Sequence, residues 1–563
     1  MNKMFSLALM SAGVLAVTSC GKLGNLSADN FKVTPTPLEE IGGEVPATIS
    51  GVFPEKYMKK KAVVTVTPVL KFEGKEVCGQ SATFQGEKVQ GNGTSIQYKV
   101  GGTYTMKAAF PYEAGMINSD LYARFDARMG SKVVSVPEVK IGYGVRSTSQ
   151  LLAMCGTTAS TAADAFQRVI EHKQEANIKF LINQANLRAS EKKSVSISEL
   201  VGILKDINTM SEERALQNIQ VSAYASPDGS YSFNEKLAEK RQNVSADYLR
   251  GELKKLKMNA DIDTKFTAED WEGFQELISK SNLQDKDVIL RVLSMYKDPE
   301  ERERQIRNMS SVYTELADGI MPELRRARLI VNYEVIGRSD SQIVEAMKSD
   351  PSKLSVEEML RAANVLTKDD AMRKEWYKMI IKQYPEDCRA YNNLAQISIT
   401  EGNWSEAEKW LSQAKAKDAR SAETNANLAL VALHKGDKGT AESYLAQASG
   451  ANTFGEISGA LSIAKGNYSQ AQKSLSGSDS NTAALAQIMN KDYAAATRTL
   501  DNVAKPDGTT HYLKAIVAAR TNNASAVTAE LKSAVAKNPA LAQRATKDIE
   551  FEQHASAVAA AVK

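Results

Sequence analysis

The sequence predicts a multidomain chain: an N-terminal β-sandwich, an α/β sandwich, and a C-terminal all-α helical-repeat solenoid. Three observations carry this. Short β-branched runs separated by Gly turns fill residues 31–150. Strand-like and amphipathic segments alternate over residues 178–337. Beyond residue 350 the chain is Ala-rich, and a short Gly-led pattern recurs at a fixed spacing.

The chain has 563 residues, with 71 Lys and Arg against 67 Asp and Glu, a formal net charge of +4. At roughly 150 residues per domain this length holds about three or four domains. So small a net charge argues against a nucleic-acid binder that relies on bulk positive charge, and no nucleic-acid partner is expected. Hydrophobic residues make up 43% and charged residues 25%, which is a globular composition and not that of a disordered chain. The one long apolar run is N-terminal, which excludes a protein of many membrane-spanning helices.

Residues 1–20 carry Lys3, an apolar stretch from Met4 to Val17, then Thr18, Ser19 and Cys20. This has the layout of a secretory signal peptide, and its end looks like a bacterial lipobox. Cys20 is therefore the expected lipidation site. Several acyl tails at about 0.8 kcal/mol per buried CH₂ give firm membrane anchoring. Gly21, and not Asp, follows Cys20, a pattern that resembles outer-membrane retention, and residues 21–30 read as a tether. No acidic run marks export to the outer face, so the expected position is the outer membrane, facing the periplasm. Besides Cys20 the chain has Cys78, Cys155 and Cys388. Cys78 and Cys155 are either a disulfide of an oxidising compartment or two buried thiols. With no Cys/His ligand spacing, no metal is expected, and no cofactor either.

Within residues 31–150, strands are expected at 62–67, 94–100, 103–110 and 121–128. Turns are expected at Glu73-Gly74, Gly91-Asn92-Gly93 and Gly101-Gly102. Their regular spacing predicts a sandwich of immunoglobulin-like size, acting as a spacer or docking surface. Residues 151–177 read as a linker helix, capped by Ser160 or Thr161 and carrying His172. In the α/β region, 178–188 and 218–225 read as strands, 197–208 and 233–255 as helices, and 328–335 as the closing strand. The run Glu300-Glu301-Arg302-Glu303-Arg304 reads as a solvated helix face with i,i+4 pairs.

Residues 221–249, VSAYASPDGSYSFNEKLAEKRQNVSADYL, resemble the OmpA-like domain. There a strand runs into an acidic loop and then a helix of the form N-x-x-L-S-x-x-R-A-x-x-V-x-x-x-L. Gly229, Asn234, Leu237, Arg241 and Leu249 stand in that register, while Ala238, Gln242 and Ser245 depart from it. The segment Leu324-Arg325-Arg326-Ala327 resembles the family's terminal N-R-R-V. The resemblance covers about 160 residues and implies binding of peptidoglycan through its zwitterionic diaminopimelate group. Arg241 would hold a carboxylate with its planar fork. Ser226 falls where the family has the Asp that pairs with the ammonium, and Asp228 stands two residues on as a substitute. Arg241 has a second reading, as a scaffold residue in a domain that has lost its ligand. The ASPDG form looks like a variant of Bacteroidales proteins.

In the C-terminal region, Gly402-Asn403-Trp404-Ser405-Glu406-Ala407 recurs from Gly436 and again from Gly466, with degenerate copies at Lys491–Ala496 and Asn522–Ala526. The first offset is that of a tetratricopeptide repeat. Gly or Asn ends one helix at positive φ, an aromatic opens the next, and a small Ala lets the two helices approach closely. About five repeats are expected between residues 356 and 537, with capping helices after them, together spanning residues 350–563. Such arrays expose an extended concave surface for protein segments. No phosphate-binding loop, H-E-x-x-H or G-x-S-x-G occurs, and only four His exist, so no enzyme is expected. Cys388, His434, His511, Trp376, Trp404 and Trp410 read as packing or surface residues.

Taken together, the chain resembles a Bacteroidales outer-membrane lipoprotein with OmpA-like and tetratricopeptide domains. The implied function is a periplasmic scaffold that ties the outer membrane to peptidoglycan and recruits protein partners through its repeats. The alternative is a protein-binding adaptor of an envelope assembly or secretion machine whose OmpA-like domain no longer binds peptidoglycan.

Overall fold

The computed structural model describes residues 23–156 and 158–563; Cys20, the signal segment and the start of the tether lie outside them. The chain divides into two compact units. One joins residues up to 163 with residues 369–563, and the other is 164–368. The sandwich and the solenoid, distant in sequence, are thus one body, and the α/β region is an insertion between them. The helix Asp340–Ser349 and the short helix Val356–Arg361 group with the inserted unit, and the helix Asp370–Gln383 precedes the repeat pairs.

In the sandwich, one sheet orders the strands Phe31–Thr34, Glu44–Phe53 and Gly102–Pro111. The other is built around Asp120–Met129, Ala62–Phe72 and Ala82–Gly86. Buried and outward-facing positions alternate along Glu44–Phe53, so Val45, Ile49 and Phe53 meet Val64, Val66 and Phe125 in one core. Glu73 and Gly74 have φ of +48° and +76°. They form the tight hairpin to Lys75–Cys78, whose twist suits residues of positive φ. Cys78 and Cys155 do not pair: Cys78 is exposed and Cys155 is buried.

The expected linker helix over 151–177 is absent. A 3-10 helix covers Thr148–Met154, residues 158–167 have no regular structure, and Val169–Lys179 is a strand. Tertiary partners override the helical pattern here. The main chain of Ser160 and Ala162 is bonded by asparagine side chains. Residues 169–179 pair throughout with 326–336. His172 sits on that strand, stacked on Tyr333 at 5.5 Å. The strand expected over 178–188 ends at Lys179.

The inserted unit has a four-stranded sheet in the order Val169–Lys179, Arg326–Ile336, Arg214–Tyr224, Ile262–Thr267; only the last pair is parallel. Helices Val195–Thr209 and Tyr231–Lys255 place Leu200, Leu204, Leu249 and Leu253 on Ile219, Val221, Leu329 and Val331. A second small core around Phe274, Ile278 and Ile289 holds the helices that precede the closing strand.

Five helix pairs form the array among the described residues: Cys388–Thr400 with Trp404–Lys417, Ala422–His434 with Lys438–Leu445, Phe454–Ala464 with Tyr468–Ser474, Asn481–Met489 with Tyr493–Asn502, and Gly508–Arg520 with Ala524–Lys537. The recurring pattern sits at the turns. Gly402, Gly436, Gly466, Lys491 and Asn522 have φ of +77°, +77°, +77°, +64° and +57°. Five residues after the first four of these, Ala407, Ala441, Ala471 and Ala496 are fully buried between helices. In the fifth copy that position is Val527, not Ala526. Second helices bury one stripe. First helices bury nearly every residue, as from Thr424 to Ala432. Their free face must therefore be covered by something other than the array.

Candidate functional site

What covers that face is the chain's own N-terminal part. The 3-10 helix Thr148–Met154 packs on helices Phe454–Ala464 and Asn481–Met489. Lys438 Nζ donates to the Gly42 carbonyl at 2.8 Å. Buried Arg520 pairs with Glu550, which also accepts from Thr148, and reaches Glu39 at 3.4 Å. Burial pushes the Glu550 carboxyl up, but the hydrogen bond and charge of Arg520, with Thr148 and Arg146, more than offset this and leave it below 4.5.

Beyond the 3-10 helix, residues 158–163 cross the first helices and are held by buried asparagines. Asn427 exchanges two bonds with Ser160: the Ser160 N–H donates to Oδ1 at 2.7 Å, and Nδ2 donates to the Ser160 carbonyl at 2.8 Å. Asn393 does the same with Ala162, at 2.8 and 2.9 Å. Asn392 adds a bond to the Ser160 carbonyl at 3.1 Å and accepts from Asn427 at 2.9 Å. All three asparagines are fully buried. Asn393 and Asn427 each stand nine residues before a turn glycine, Gly402 and Gly436. One repeat thus reads two residues of extended main chain, in the opposite sense to the array. Amide-to-backbone bonding of this kind is indifferent to side-chain identity but needs close approach, and Ala159, Ser160 and Ala162 are small and buried. The sequence motifs give none of these three asparagines a binding role. The available signal was polar side chains at core positions of two successive repeats.

Beside this segment lies an apolar cavity of about 680 Å³, floored by Ile399, Leu430, Leu433, Ala460 and Ile463. At its rim Trp404 stacks on His434, with centroids 3.9 Å apart.

In the inserted unit, the strand Arg214–Tyr224 delivers the loop that contains Ser226 and Asp228, and Asn234 ties the loop down by donating to the Ser226 and Gly229 carbonyls, both at 3.1 Å. The Ser226 hydroxyl donates to Asp228 Oδ1 at 2.6 Å. Asp228 Oδ2 pairs with Arg325 at 2.8 Å, and Arg325 Nε also reaches Ser226 at 3.3 Å. Arg325, in the segment that resembles the family's N-R-R-V, is thus the counter-ion of Asp228. No sequence signal links two residues 97 apart; the sheet brings them together.

Arg241 is fully buried. Its guanidinium donates to three main-chain carbonyls: Gln184 at 3.0 Å, Tyr224 at 2.9 Å and Leu181 at 3.2 Å. It also lies over the Phe180 ring at 5.2 Å. Burial, with the Arg325 charge, pulls its pKa down to about 10. The resemblance makes Arg241, Ser226 and Asp228 one ligand grip. The structure joins Ser226 and Asp228 through Arg325 and directs the Arg241 donors into the protein's own backbone.

A profile of the coatomer epsilon subunit family matches residues 375–453. No curated protein matches the chain. Among solved structures, PilF of Pseudomonas aeruginosa is 15% identical, with a TM-score of 0.29, covering 39% of this chain and 99% of that one. A tetratricopeptide repeat protein from Parabacteroides merdae is 11% identical, with a TM-score of 0.29, covering 46% and 98%. Yeast Tom70 is 12% identical, with a TM-score of 0.24, covering 66% and 80%. The chain carries a tetratricopeptide-like helical array in its C-terminal part and a sheet-rich N-terminal region, as its own turns and helix pairs establish.

Proposed function

We propose that the chain is a protein-binding adaptor of the bacterial envelope, anchored in the outer membrane through Cys20 and facing the periplasm, whose OmpA-like unit acts as scaffold and not as a peptidoglycan clamp. The observation that carries this is the satisfied state of the grip. A zwitterion needs a free guanidinium fork and a free carboxylate. Arg241 bonds three carbonyls, and Asp228 is neutralised by Arg325. Freeing either would leave buried polar groups without partners, at about 1–3 kcal/mol each. Helical arrays of this kind present extended surfaces to protein segments, which supports the adaptor role.

The test is co-sedimentation of the chain from residue 22 onward with diaminopimelate-type sacculi. The expected result is that the protein stays in the supernatant. Sedimentation that free diaminopimelate competes away would overturn this reading and restore the scaffold that links membrane to wall.

A further inference from the structure

The segment 158–162 fills only one of two lanes on the inner face of the array. The first lane is the asparagine row described above. The second is apolar and follows the same repeat: Ile399, Leu433 and Ile463 each stand three residues before a turn glycine, and all three line the 680 Å³ cavity together with Ala159.

An extended chain points the main-chain groups of successive residues to opposite sides. Ser160 and Ala162 face the asparagines, so the N–H and C=O of Ala159 and Thr161 face away from them. Among the described residues the main chain of Ala159 and Thr161 has no hydrogen-bond partner. Ala159 is only 5% exposed, and buried backbone groups are almost always paired. At Ala159 an open edge of extended chain therefore lies beside an apolar row that follows the same repeat as the asparagines.

We propose that this lane takes an extended segment of a partner protein by strand addition. Its main chain pairs with Ala159 and Thr161, and its alternate apolar side chains rest on Ile399, Leu433 and Ile463. Two features select this occupant: continuity with the interface that the chain's own segment already makes, and the unpaired edge, which a small apolar molecule would leave unsatisfied. The inference names the partner chemistry for the adaptor reading and rests on it. Wall binding is read separately, by sedimentation with sacculi, so either can fail alone.

The test uses fluorescein-labelled heptapeptides in which Ser alternates with Ala, Val, Leu or Phe, titrated into the chain from residue 22 onward and followed by anisotropy. At least one of the four is expected to bind. N-methylating one set of alternate peptide nitrogens should weaken it about tenfold or more, and methylating the other set should not, because a strand pairs through one edge. Hydrogen exchange over 158–162 should slow on binding. Leu433→Lys, at a half-buried position, should weaken binding similarly with the thermal midpoint unchanged. Failure of all four peptides would overturn the proposal, as would equal binding of both methylated sets, which marks an apolar pocket without strand addition.

Discussion

Arg241 shows how one side chain can keep a family's position and change its task. Its three donors hold Leu181 and Gln184, in the loop after the first strand of the inserted unit, and Tyr224, at the end of the strand Arg214–Tyr224, two places along the sheet. Arg241→Met is expected to destabilise the unit by about 2–4 kcal/mol in urea unfolding, since it leaves buried carbonyls unpaired. Arg241→Lys should recover only part of this, because an ammonium cannot reproduce the planar fork. For this reason Arg241 variants report on folding before they report on any ligand. The residues that sequence reading joined to Arg241 were legible as a motif. The partner that neutralises Asp228 was not, because Arg325 is adjacent only through the sheet.

At the scale of elements, the turn between paired helices is the most informative feature of the chain. Three copies use Gly in the left-handed region, whereas Lys491 and Asn522 adopt it with a side chain, at φ of +64° and +57°. Left-handed backbone costs a non-Gly residue roughly 1–2 kcal/mol, with Asn tolerating it better. Lys491→Gly is expected to raise stability by about 0.5–1 kcal/mol, and Gly402→Ala to lower it by about 1–2 kcal/mol, as read from thermal midpoints. The segment 158–163 illustrates the opposite case. Its small polar composition has no strong preference of its own, and Asn392, Asn393 and Asn427 decide its path.

At the scale of the whole molecule, sandwich and solenoid form one compact unit, so the array alone lacks the cover that the N-terminal part gives its first helices. Residues 369–563 expressed by themselves are expected to bind a hydrophobic dye and melt lower than when co-expressed with residues 23–163; differential scanning with and without the N-terminal part checks this. Arg520 and Glu550 contribute to the lock between the two regions. Breaking a buried pair of this kind costs about 3–5 kcal/mol, and Arg520→Met is expected to lose that much at pH 7. The folded Glu550 pKa lies below the ordinary 4.5, so its stabilising contribution is present above that pH and is lost as pH falls through the folded value. The gap between wild type and Arg520→Met should therefore narrow below about pH 4.5 in denaturant titrations. Asp548, held up by burial and by the nearby Glu550 charge, titrates with the opposite sign.

The sequence by itself determined what local chemistry determines. Gly402, Gly436 and Gly466 fix the turns, Ala407, Ala441 and Ala471 fix the helix contacts, and alternating residues fix the sandwich strands. Tertiary structure alone decided the rest, because the deciding partners lie far apart in the chain. The main chain of Ser160 and Ala162 is bonded by side chains more than 200 positions away. The strand Val169–Lys179 exists because Arg326–Ile336 pairs with it. The inner face of the array is covered by the N-terminal region because helices buried on both sides need a second cover. Each of these contacts satisfies a hydrogen bond or an apolar surface that only the folded chain brings within reach; the repeat of Asn393 and Asn427 marks the asparagines in the sequence but not the segment they hold.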